Sequence, residues 1–407
     1  MFVGRTPLLA AVTLAVAGGM AIAGITGWIA ALTLGIKDEP AAPLDITKLA
    51  LVVAGGVGGA VALVVAYRRQ RDLEQNRFIE RFGAAAAQLG SPYTAVRIAG
   101  VYAMAIVTDE STGPRRQQCI DVLCGYLRLP YSPDTGANHQ TGRDRKDTST
   151  TDIAIEDHFQ YLQNDKVVRQ TIVRVIADHL RDHTHSWSNC NFNFTTAHLE
   201  DADFSDATFS GDIDFVGATF SDKTMFNNAK FSGDAKFVGT KFSGVVGFIG
   251  ATFSGDARFD KAKFSDDAWF EAKFSGVARF DEAKFSGDAR FNGVTFPSSA
   301  RFDEATFSGK AKFDETTFSS KAKFNKATFS GEARFEGATF SRVAWFDEAT
   351  FSGAVSSFRK ADFGSRAVSF DHPRQWGPPP PEFDWDNDPS TKPTNVAPTP
   401  WPPVPAP

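Results

Sequence analysis

Three histidines, one aspartate and one cysteine form the only cluster in the sequence that resembles a metal site: His179, Asp182, His183, His185 and Cys190. His179 and His183 are one helical turn apart, so both rings could reach the same ion. The pattern lacks the glutamate of the HExxH motif of zinc proteases, and histidines in the last turn of a helix also interact favourably with its dipole. We therefore expect neither a metal nor another cofactor, and keep His179 and His183 as the candidate ligands.

The residues indicate no other catalytic chemistry. No nucleophile, base and orienting group occur together, and no pair of carboxylates stands apart from the repeat background, so we expect no enzyme. Cys119, Cys124 and Cys190 contain no CxxC pair, which favours buried or neutral thiols in a reducing compartment. The formal net charge is only −5, which does not indicate nucleic acid as a partner.

A glycine-rich segment, AGGVGGA at 54–60, could suggest a phosphate-binding loop. No Lys-Ser or Lys-Thr follows it, and it lies in the middle of an apolar segment, so that interpretation fails. Gly55 and Gly59 instead give a small-xxx-small face for close helix packing, and Gly19, Ala23 and Gly27 give a second one. The two faces are expected to pack on each other; homo-oligomerisation through them is the alternative.

Two uncharged segments, Leu8 to Ile36 and Leu49 to Tyr67, predict a transmembrane hairpin. At about 1.5 Å per residue each is long enough for a hydrocarbon layer of about 30 Å. Arginines follow the second segment directly, and the connection has no such positive excess, so both ends should be cytoplasmic. A cleaved signal peptide ending at Ala23 is the alternative. Residues 1–71 are thus predicted to be a two-helix anchor in the inner (cytoplasmic) membrane, with the N-terminus in the cytoplasm.

Residues 72–187 have helical periodicity and form a predicted cytoplasmic α-helical region. A first helix is expected to carry Leu73, Phe78, Phe82 and Leu89 and to stop at Gly90-Ser91-Pro92, and others are expected at about 96–107, 116–129 and 166–182. The polar, turn-rich stretch 131–151 has no apolar periodicity and is predicted to be a surface loop.

From residue 204 onward, phenylalanines alternate six and five residues apart, giving a period of eleven, as in FSGVARFDEAKFSGDARF at 274–291. A helix would scatter these rings over several faces and would carry a Ser-Gly in nearly every repeat. The unit Ala-x-Phe instead fits a very short strand with Ala and Phe on one side. A three-residue strand followed by a corner, repeated in this way, predicts the coil of a β-solenoid.

Four faces of five, six, five and six residues give 22 residues per coil. One inward column then contains Phe209, Phe231, Phe253, Phe274, Phe296, Phe318 and Phe340. Phe302 lies in another column. The interval from Phe270 to Phe274 is one residue shorter than the usual five, so we expect both rings to point inward and the corner between them to be distorted.

The stretch AHLEDADFSDATF at 197–209 resembles the bacterial pentapeptide-repeat proteins. The resemblance covers about 189–370 and implies a right-handed quadrilateral β-helix; family members with Phe-rich, eleven-residue units are the more similar ones. The upstream pattern ERF, QLGS, VR, G and YA at 80–103 is similar to membrane-anchored members. The predicted fold class is therefore an all-β repeat solenoid over 188–370, preceded by a transmembrane α-hairpin and a small α-helical region.

These features predict a non-enzymatic, membrane-anchored scaffold that binds an unknown protein partner and no nucleic acid. The alternative, which the resemblance implies, is a DNA-mimicking protein that binds topoisomerases. Mimicry needs a dense acidic surface, whereas the repeats carry nearly as many Lys and Arg as Asp and Glu. The segment 371–407 is rich in proline, and its composition predicts a disordered tail with polyproline II character.

Overall fold

The computed structural model describes residues 17, 18, 21, 24, 25, 28, 43–131, 133, 142–147, 155–160, 164–182 and 184–405. The chain divides into two compact units, Met1–Arg81 and Phe82–Pro407. Helix α1 (Pro43–Leu89) contains the second predicted transmembrane segment, while most of the first lies outside the described residues. Among the residues described, no helix combines the length and the apolar character needed to cross a membrane, so the predicted hairpin is not supported.

Among the described residues, three further helices precede the solenoid: α2 (Thr94–Glu110), α3 (Pro114–Arg128) and α4 (Asp165–Arg181). Their bounds agree with the predicted helices within a few residues. Pro114 occupies the first turn of α3, where a missing amide hydrogen costs nothing. The predicted loop at 131–151 is wrong in part, because Gly142–Asp147 pairs antiparallel with Ile155–Gln160. The strand Gly142–Asp147 was not predicted because its residues are mostly charged and show no apolar periodicity.

The helices pack closely around the end of α1. A Cβ on Gly100 would lie 2.7 Å from the backbone nitrogen of Leu89, so only glycine fits at this crossing. In α4 the apolar residues Val168, Ile172 and Ile176 recur at helical spacing and are fully buried. We call α2, α3 and α4 together the helical cap, because α4 and α3 contact the first coils of the solenoid.

The remaining chain is a β-solenoid of the right-handed type with about 8 turns. Its parallel strands stack on four faces, numbered here in chain order. Face 1 contains Phe192–Asn193, Ile213–Asp214, Ala235–Lys236, Ala257–Arg258, Ala278–Arg279, Ala300–Arg301, Ala322–Lys323, Ala344–Trp345, Val368–Ser369 and Val396–Ala397. Face 2 contains His198–Glu200, Thr219–Ser221, Lys241–Phe242, Lys263–Phe264, Lys284–Phe285, Thr306–Phe307, Thr328–Phe329, Thr350–Phe351 and Gln375–Trp376.

The other two faces are shorter, and one of them is interrupted. Face 3 contains Thr224–Met225, Val246–Gly247, Ala268–Trp269, Ala289–Arg290, Ala311–Lys312, Ala333–Arg334 and Ser356–Ser357. Face 4 forms two separate sheets, one of Thr208–Phe209, Lys230–Phe231, Thr252–Phe253 and Lys273–Phe274, the other of Thr295–Phe296, Thr317–Phe318 and Thr339–Phe340.

Stacked phenylalanine rings fill the interior. The eight predicted core residues, Phe209, Phe231, Phe253, Phe274, Phe296, Phe302, Phe318 and Phe340, are all buried. Phe302 stacks on Phe280 and Phe324 with centroid distances of 4.9 and 4.8 Å, and meets Phe291 and Phe313 edge to face. Phe302 thus has stacked neighbours above and below and perpendicular neighbours beside it, both of which are favourable aromatic geometries.

The repeated Ser-Gly of the sequence has a steric cause. At the corner between faces 4 and 1, a Cβ on Gly276 would lie 2.4 Å from the carbonyl oxygen of Gly255 in the preceding coil. Glycine therefore lets successive coils approach at this corner. The wider corner between faces 1 and 2 is closed by a hydrogen bond from Ala283 N to Phe280 O, with Glu282 at a φ of 58°.

The interruption of face 4 follows from two local features of the sequence. The corner after Phe270 is one residue short, and Ala272 N donates to Phe270 O within this tight corner at 2.7 Å. In the next coil Pro297 stands where Ser275 donates its amide hydrogen to Phe253 O at 2.8 Å. Proline has no amide hydrogen to donate to Phe274 O, so this ladder is lost while the rings remain stacked at 5.1 Å.

The predicted disordered tail is wrong for residues 371–405, which close the C-terminal end of the solenoid. Gln375–Trp376 extends face 2, and Val396–Ala397 extends face 1. The Phe383 ring stacks on Phe358 at 4.9 Å, and Trp385 stacks on Phe383 at 4.8 Å. The physical reason is that these aromatic rings cover phenylalanines that a terminal coil would otherwise expose. We call residues 371–405 the aromatic cap.

Candidate interaction surface

Two outward positions flank each inward phenylalanine, and the four faces fill them differently. In the middle coils of face 1 the residue before the ring is Arg and the residue after it is Asp, as in Arg279 and Asp281. On face 2 the same two positions hold Lys or Thr and then Ser, as in Lys263 and Ser265. Because the register between coils is fixed, each position becomes a continuous column on the outside.

On face 1 the cationic and anionic columns neutralise each other. Arg279 Nε lies 3.1 Å from Asp260 Oδ1, and Arg301 Nη2 lies 2.9 Å from Asp281 Oδ2. Each guanidinium therefore reaches the carboxylate of the preceding coil, and so ties successive coils together. Exposed pairs of this kind are worth about 0 to 1 kcal/mol each. Desolvation raises the pKa of Asp281, and the Arg301 guanidinium opposes this effect.

These columns enclose a shallow groove of about 460 Å³ along face 1, lined mainly by Arg258, Asp260, Arg279, Asp281, Arg301 and Asp303. The groove offers alternating hydrogen-bond donors and acceptors. It contains no nucleophile, and its charges are already paired. It is suited to polar contacts with another surface rather than to catalysis.

Face 3 repeats this arrangement less regularly. Arg334 Nε lies 3.1 Å from Asp314 Oδ2, and Lys312 Nζ lies 3.6 Å from Asp288 Oδ2. Arg290 Nη2 lies 3.7 Å from Asp267 Oδ2, and its guanidinium also lies over the Trp269 ring, at 5.4 Å from the centroid. Between Phe231 and Phe351 the chain carries 17 Lys and Arg and 17 Asp and Glu. This segment therefore has no excess of the acidic charge that DNA mimicry requires.

A buried polar cluster joins the three helices of the helical cap. Arg97 Nη1 donates to Asp165 Oδ1 at 3.2 Å, and the Tyr126 hydroxyl donates to the same oxygen. Arg169 Nε donates to Asp165 Oδ2 at 2.7 Å. Arg97 belongs to the VR element of the pattern at 80–103, and its side chain is fully buried. Burial raises the pKa of Tyr126, so the phenol stays a donor.

The cluster continues into the first coil of the solenoid. The Arg169 guanidinium lies 4.3 Å above the centre of the Tyr131 ring, and the Tyr131 hydroxyl donates to Glu200 Oε2 at 2.6 Å. Lys166 Nζ lies 3.1 Å from Glu200 Oε1, and this contact raises the pKa of Lys166. The contacts fix the start of the solenoid to the helical cap.

The structure describes only one of the two candidate metal ligands, His179. His179 stacks on Trp187 at 3.9 Å, and its ring nitrogens face the carbonyl oxygen of Val175 and the carboxylate of Asp109. Trp187 Nε1 donates to Asp109 Oδ1 at 2.7 Å. His183 lies outside the described residues. In the part of the chain that the structure describes, no group of three or more His, Cys, Asp or Glu could hold a metal ion.

The three cysteines are buried free thiols. Burial raises the pKa of Cys119 and of Cys190, and raises that of Cys124 to about 12. All three therefore stay protonated near neutral pH, which makes them poor nucleophiles and poor metal ligands.

Comparison with known protein families agrees with this architecture. The family model described as "Pentapeptide repeats (9 copies)" matches residues 194–239, 237–271, 270–311 and 302–349. Residues 194–349 of the solenoid therefore match pentapeptide repeats. No curated protein and no solved structure matches the chain.

Sequence reasoning identified the inward columns but missed the cluster around Asp165. Arg97 and Asp165 are 68 residues apart, and no repeat relates them. One local signal was available, because Asp165 and Arg169 have the i, i+4 spacing of a helical ion pair. The outward columns were also visible in the repeat, since the residue after each phenylalanine alternates between acidic and Ser types.

Proposed function

We propose that this protein is a non-enzymatic scaffold, anchored in the cytoplasmic membrane, whose solenoid binds a protein partner on its outer faces. The observation that carries the proposal is the set of outward columns held in fixed register by the ring stack. Columns of this kind repeat one chemical group every coil, about 4.8 Å apart, over a long flat surface. A surface with few cavities and many ordered polar groups favours recognition over catalysis.

The ends of the solenoid support lateral binding. Arg181 of the helical cap donates to Ser205 O at 2.7 Å at one end. At the other end Trp401 meets the Phe383 ring edge to face at 4.9 Å. The four faces are thus the surfaces that the solenoid offers to a partner. The balanced charge of the coils favours this function over DNA mimicry.

A photo-crosslinking amino acid at one outward position per face tests the scaffold in cells. Arg279, Lys263, Lys312 and Thr317 represent faces 1 to 4. A partner should form a defined adduct from one face and little from the others, and substituting the outward residue one coil away should reduce that adduct. Absence of a face-specific adduct at all four positions would contradict the scaffold.

Membrane anchoring stays a prediction from the sequence of residues 1–71. The full chain should remain in the membrane pellet after alkaline carbonate extraction, whereas a chain beginning at Asp72 should not. A cysteine at Ala42 should react with an impermeant maleimide from outside, and one at Ser390 should not. The native thiols are buried and protonated, so they give little background. Labelling at Ser390 alone would reverse the orientation.

A further inference from the structure

Three lysines stack directly on one another in the middle of face 2. Lys241 is in register with Lys263, and Lys263 with Lys284. All three side chains are exposed. Within the described part of the chain, none of them forms an ion pair. Strands in register bring their Cβ atoms to about 4.8 Å, so the three ammonium groups form a short, unneutralised cationic row.

The other faces avoid this arrangement. The arginines of face 1 also follow one another, but a carboxylate lies beside each, as Asp281 does beside Arg301. On face 4 a threonine separates the lysines, because Lys230 pairs with Thr252 and Thr252 with Lys273. Face 2 is therefore the face on which described lysines are consecutive without a neighbouring acidic column.

The stability of the sheet alone would favour threonine over lysine at these three positions. The next three coils of the same column hold Thr306, Thr328 and Thr350, in register with one another. Threonine is favoured in strands and lysine is depleted there, and like charges directly opposite each other destabilise a sheet. The chain thus accommodates threonine at equivalent positions, yet carries lysine where the charges repel.

A column of hydroxyl groups accompanies the lysines. Ser243, Ser265 and Ser286 follow the inward rings and are exposed. Their backbone amides are already used; for example, Ser265 N donates to Phe242 O at 2.9 Å. The hydroxyls point outward beside the ammonium groups, and both groups donate hydrogen bonds to anionic oxygens.

We propose that these six residues, called here the Lys/Ser surface, bind an acidic extended segment of the protein partner. The proposal rests on the proposed function and names the face and the chemistry of the contact. Side chains on one side of an extended segment are about 6.6 to 6.8 Å apart. The flexible four-carbon stem of lysine can adjust to that spacing, so two or three carboxylates can be paired along the solenoid axis.

The surroundings favour a narrow acidic segment over an anionic lipid surface. Exposed Asp266 lies at the corner on one side of the lysine row, and exposed Glu282 lies at the corner on the other side. A flat membrane would bring anionic headgroups against these carboxylates as well. A single extended chain can lie along the row between them, which gives the better charge complementarity.

The test measures binding of a fluorescein-labelled peptide of five Glu-Thr repeats to the purified full-length protein by fluorescence anisotropy. The variant K241T/K263T/K284T introduces the residue that the column itself uses in later coils. The control K310T/K312T/K321T removes the same charge from other parts of the solenoid. We expect the first variant to bind at least tenfold more weakly and the control to stay within about twofold of the wild type.

The salt dependence should change in parallel, with a steep loss of affinity for the wild type and a shallow one for the Lys/Ser variant. The melting temperature of that variant should equal or exceed that of the wild type, which shows that weaker binding is not caused by unfolding.

Four results would overturn the proposal. The wild type could fail to bind the peptide, or both variants could weaken it equally, which would indicate net charge alone. Binding to vesicles of phosphatidylcholine and phosphatidylglycerol that requires the three lysines and is not displaced by the peptide would assign the surface to a membrane. Crosslinks confined to another face would reject the Lys/Ser surface and still support the scaffold.

Discussion

The carbonyl oxygen of Phe270 accepts the amide hydrogen of Ala272 at 2.7 Å, and so closes the corner over three residues. In the coil below, Phe248 O accepts from Ala251 N, and in the coil above Phe291 O accepts from Val294 N, so both of those corners span four residues. The missing residue is therefore absorbed by a tighter, γ-turn-like corner. Phe270 and Phe274 both point inward, and the expected distortion is confirmed.

Inserting Asp after Phe270, to give FDEAKF, should be tolerated or slightly stabilising, because it restores the wider corner. Inserting the same residue after Arg290 should destabilise strongly, because it rotates the following inward residues outward. Chemical denaturation measures both, and hydrogen exchange of face 4 shows whether the lower and upper sheets open together. If the two sheets unfolded independently in the wild type, the continuous ring stack would not hold them as one unit.

Phe302→Ala should lower the free energy of unfolding by about 3 to 5 kcal/mol, because it leaves a cavity between stacked rings. Lys312→Ala is the control on another face of the same coil, and its loss should be under about 0.5 kcal/mol, since its ion pair with Asp288 is near the surface. Urea unfolding monitored by circular dichroism provides both values. Equal losses would mean that the inward face has been misassigned.

Asp165→Asn should destabilise the protein by about 3 to 5 kcal/mol, because Arg97 and Arg169 then lose the shared carboxylate inside the helical cap. Asp178→Asn is a matched control, since Asp178 pairs with Arg181 at the exposed end of the same helix. Thermal unfolding distinguishes the two. A similar change in thermal stability in both variants would show that the buried cluster stabilises the protein no more than an exposed ion pair does.

Burial lowers the pKa of His198, so its ring stays neutral in the folded protein to a lower pH than in the unfolded chain. As pH falls below the unfolded value of 6.5, the unfolded state binds the proton first and stability is lost, until pH passes the folded pKa. His198→Gln should reduce this loss and leave stability above pH 7.5 with no added pH dependence. Unfolding titrations from pH 8 to 4.5 would show parallel curves if His198 did not contribute.

Ending the chain after Asp371 should expose Phe351, Phe358 and Phe370 at the C-terminal end of the solenoid, because their partners Trp376, Phe383 and Trp401 are removed. We expect loss of hydrogen-exchange protection in the last coils and a tendency to aggregate. A chain ending after Pro403 keeps Trp401 and should behave as the wild type. Unchanged protection in the shorter chain would show that the aromatic cap is dispensable.

The repeat could be predicted because a solenoid places the same residue type inward once per face. The Ala-x-Phe unit and its eleven-residue period were therefore sufficient for the columns and for Phe302 at the centre of one. The aromatic cap could not be recognised in the same way, because Trp376 and Phe383 continue their columns without the spacing of the repeat. Its prolines dominated the composition, which is typical of unfolded segments.

The candidate surface was only partly accessible to sequence reasoning. The repeat itself shows the alternation of Arg/Asp and Lys/Ser positions. Whether the Arg and Asp charges neutralise each other depends on which coils are adjacent. Arg301 pairs with Asp281, 20 residues earlier, because the two lie on adjacent coils of face 1. A local pattern cannot distinguish this contact from a pair within one coil; only the register of the stack does.

The helical cap and the aromatic cap also affect whether several molecules can associate end to end. The last coil of a bare solenoid has free backbone amide and carbonyl groups, onto which a second molecule could add end to end and start a fibre. Here Arg181 occupies carbonyl groups at the first coils, and Trp401 lies across the rings of the last one. These contacts at both ends oppose the end-to-end addition of a second molecule.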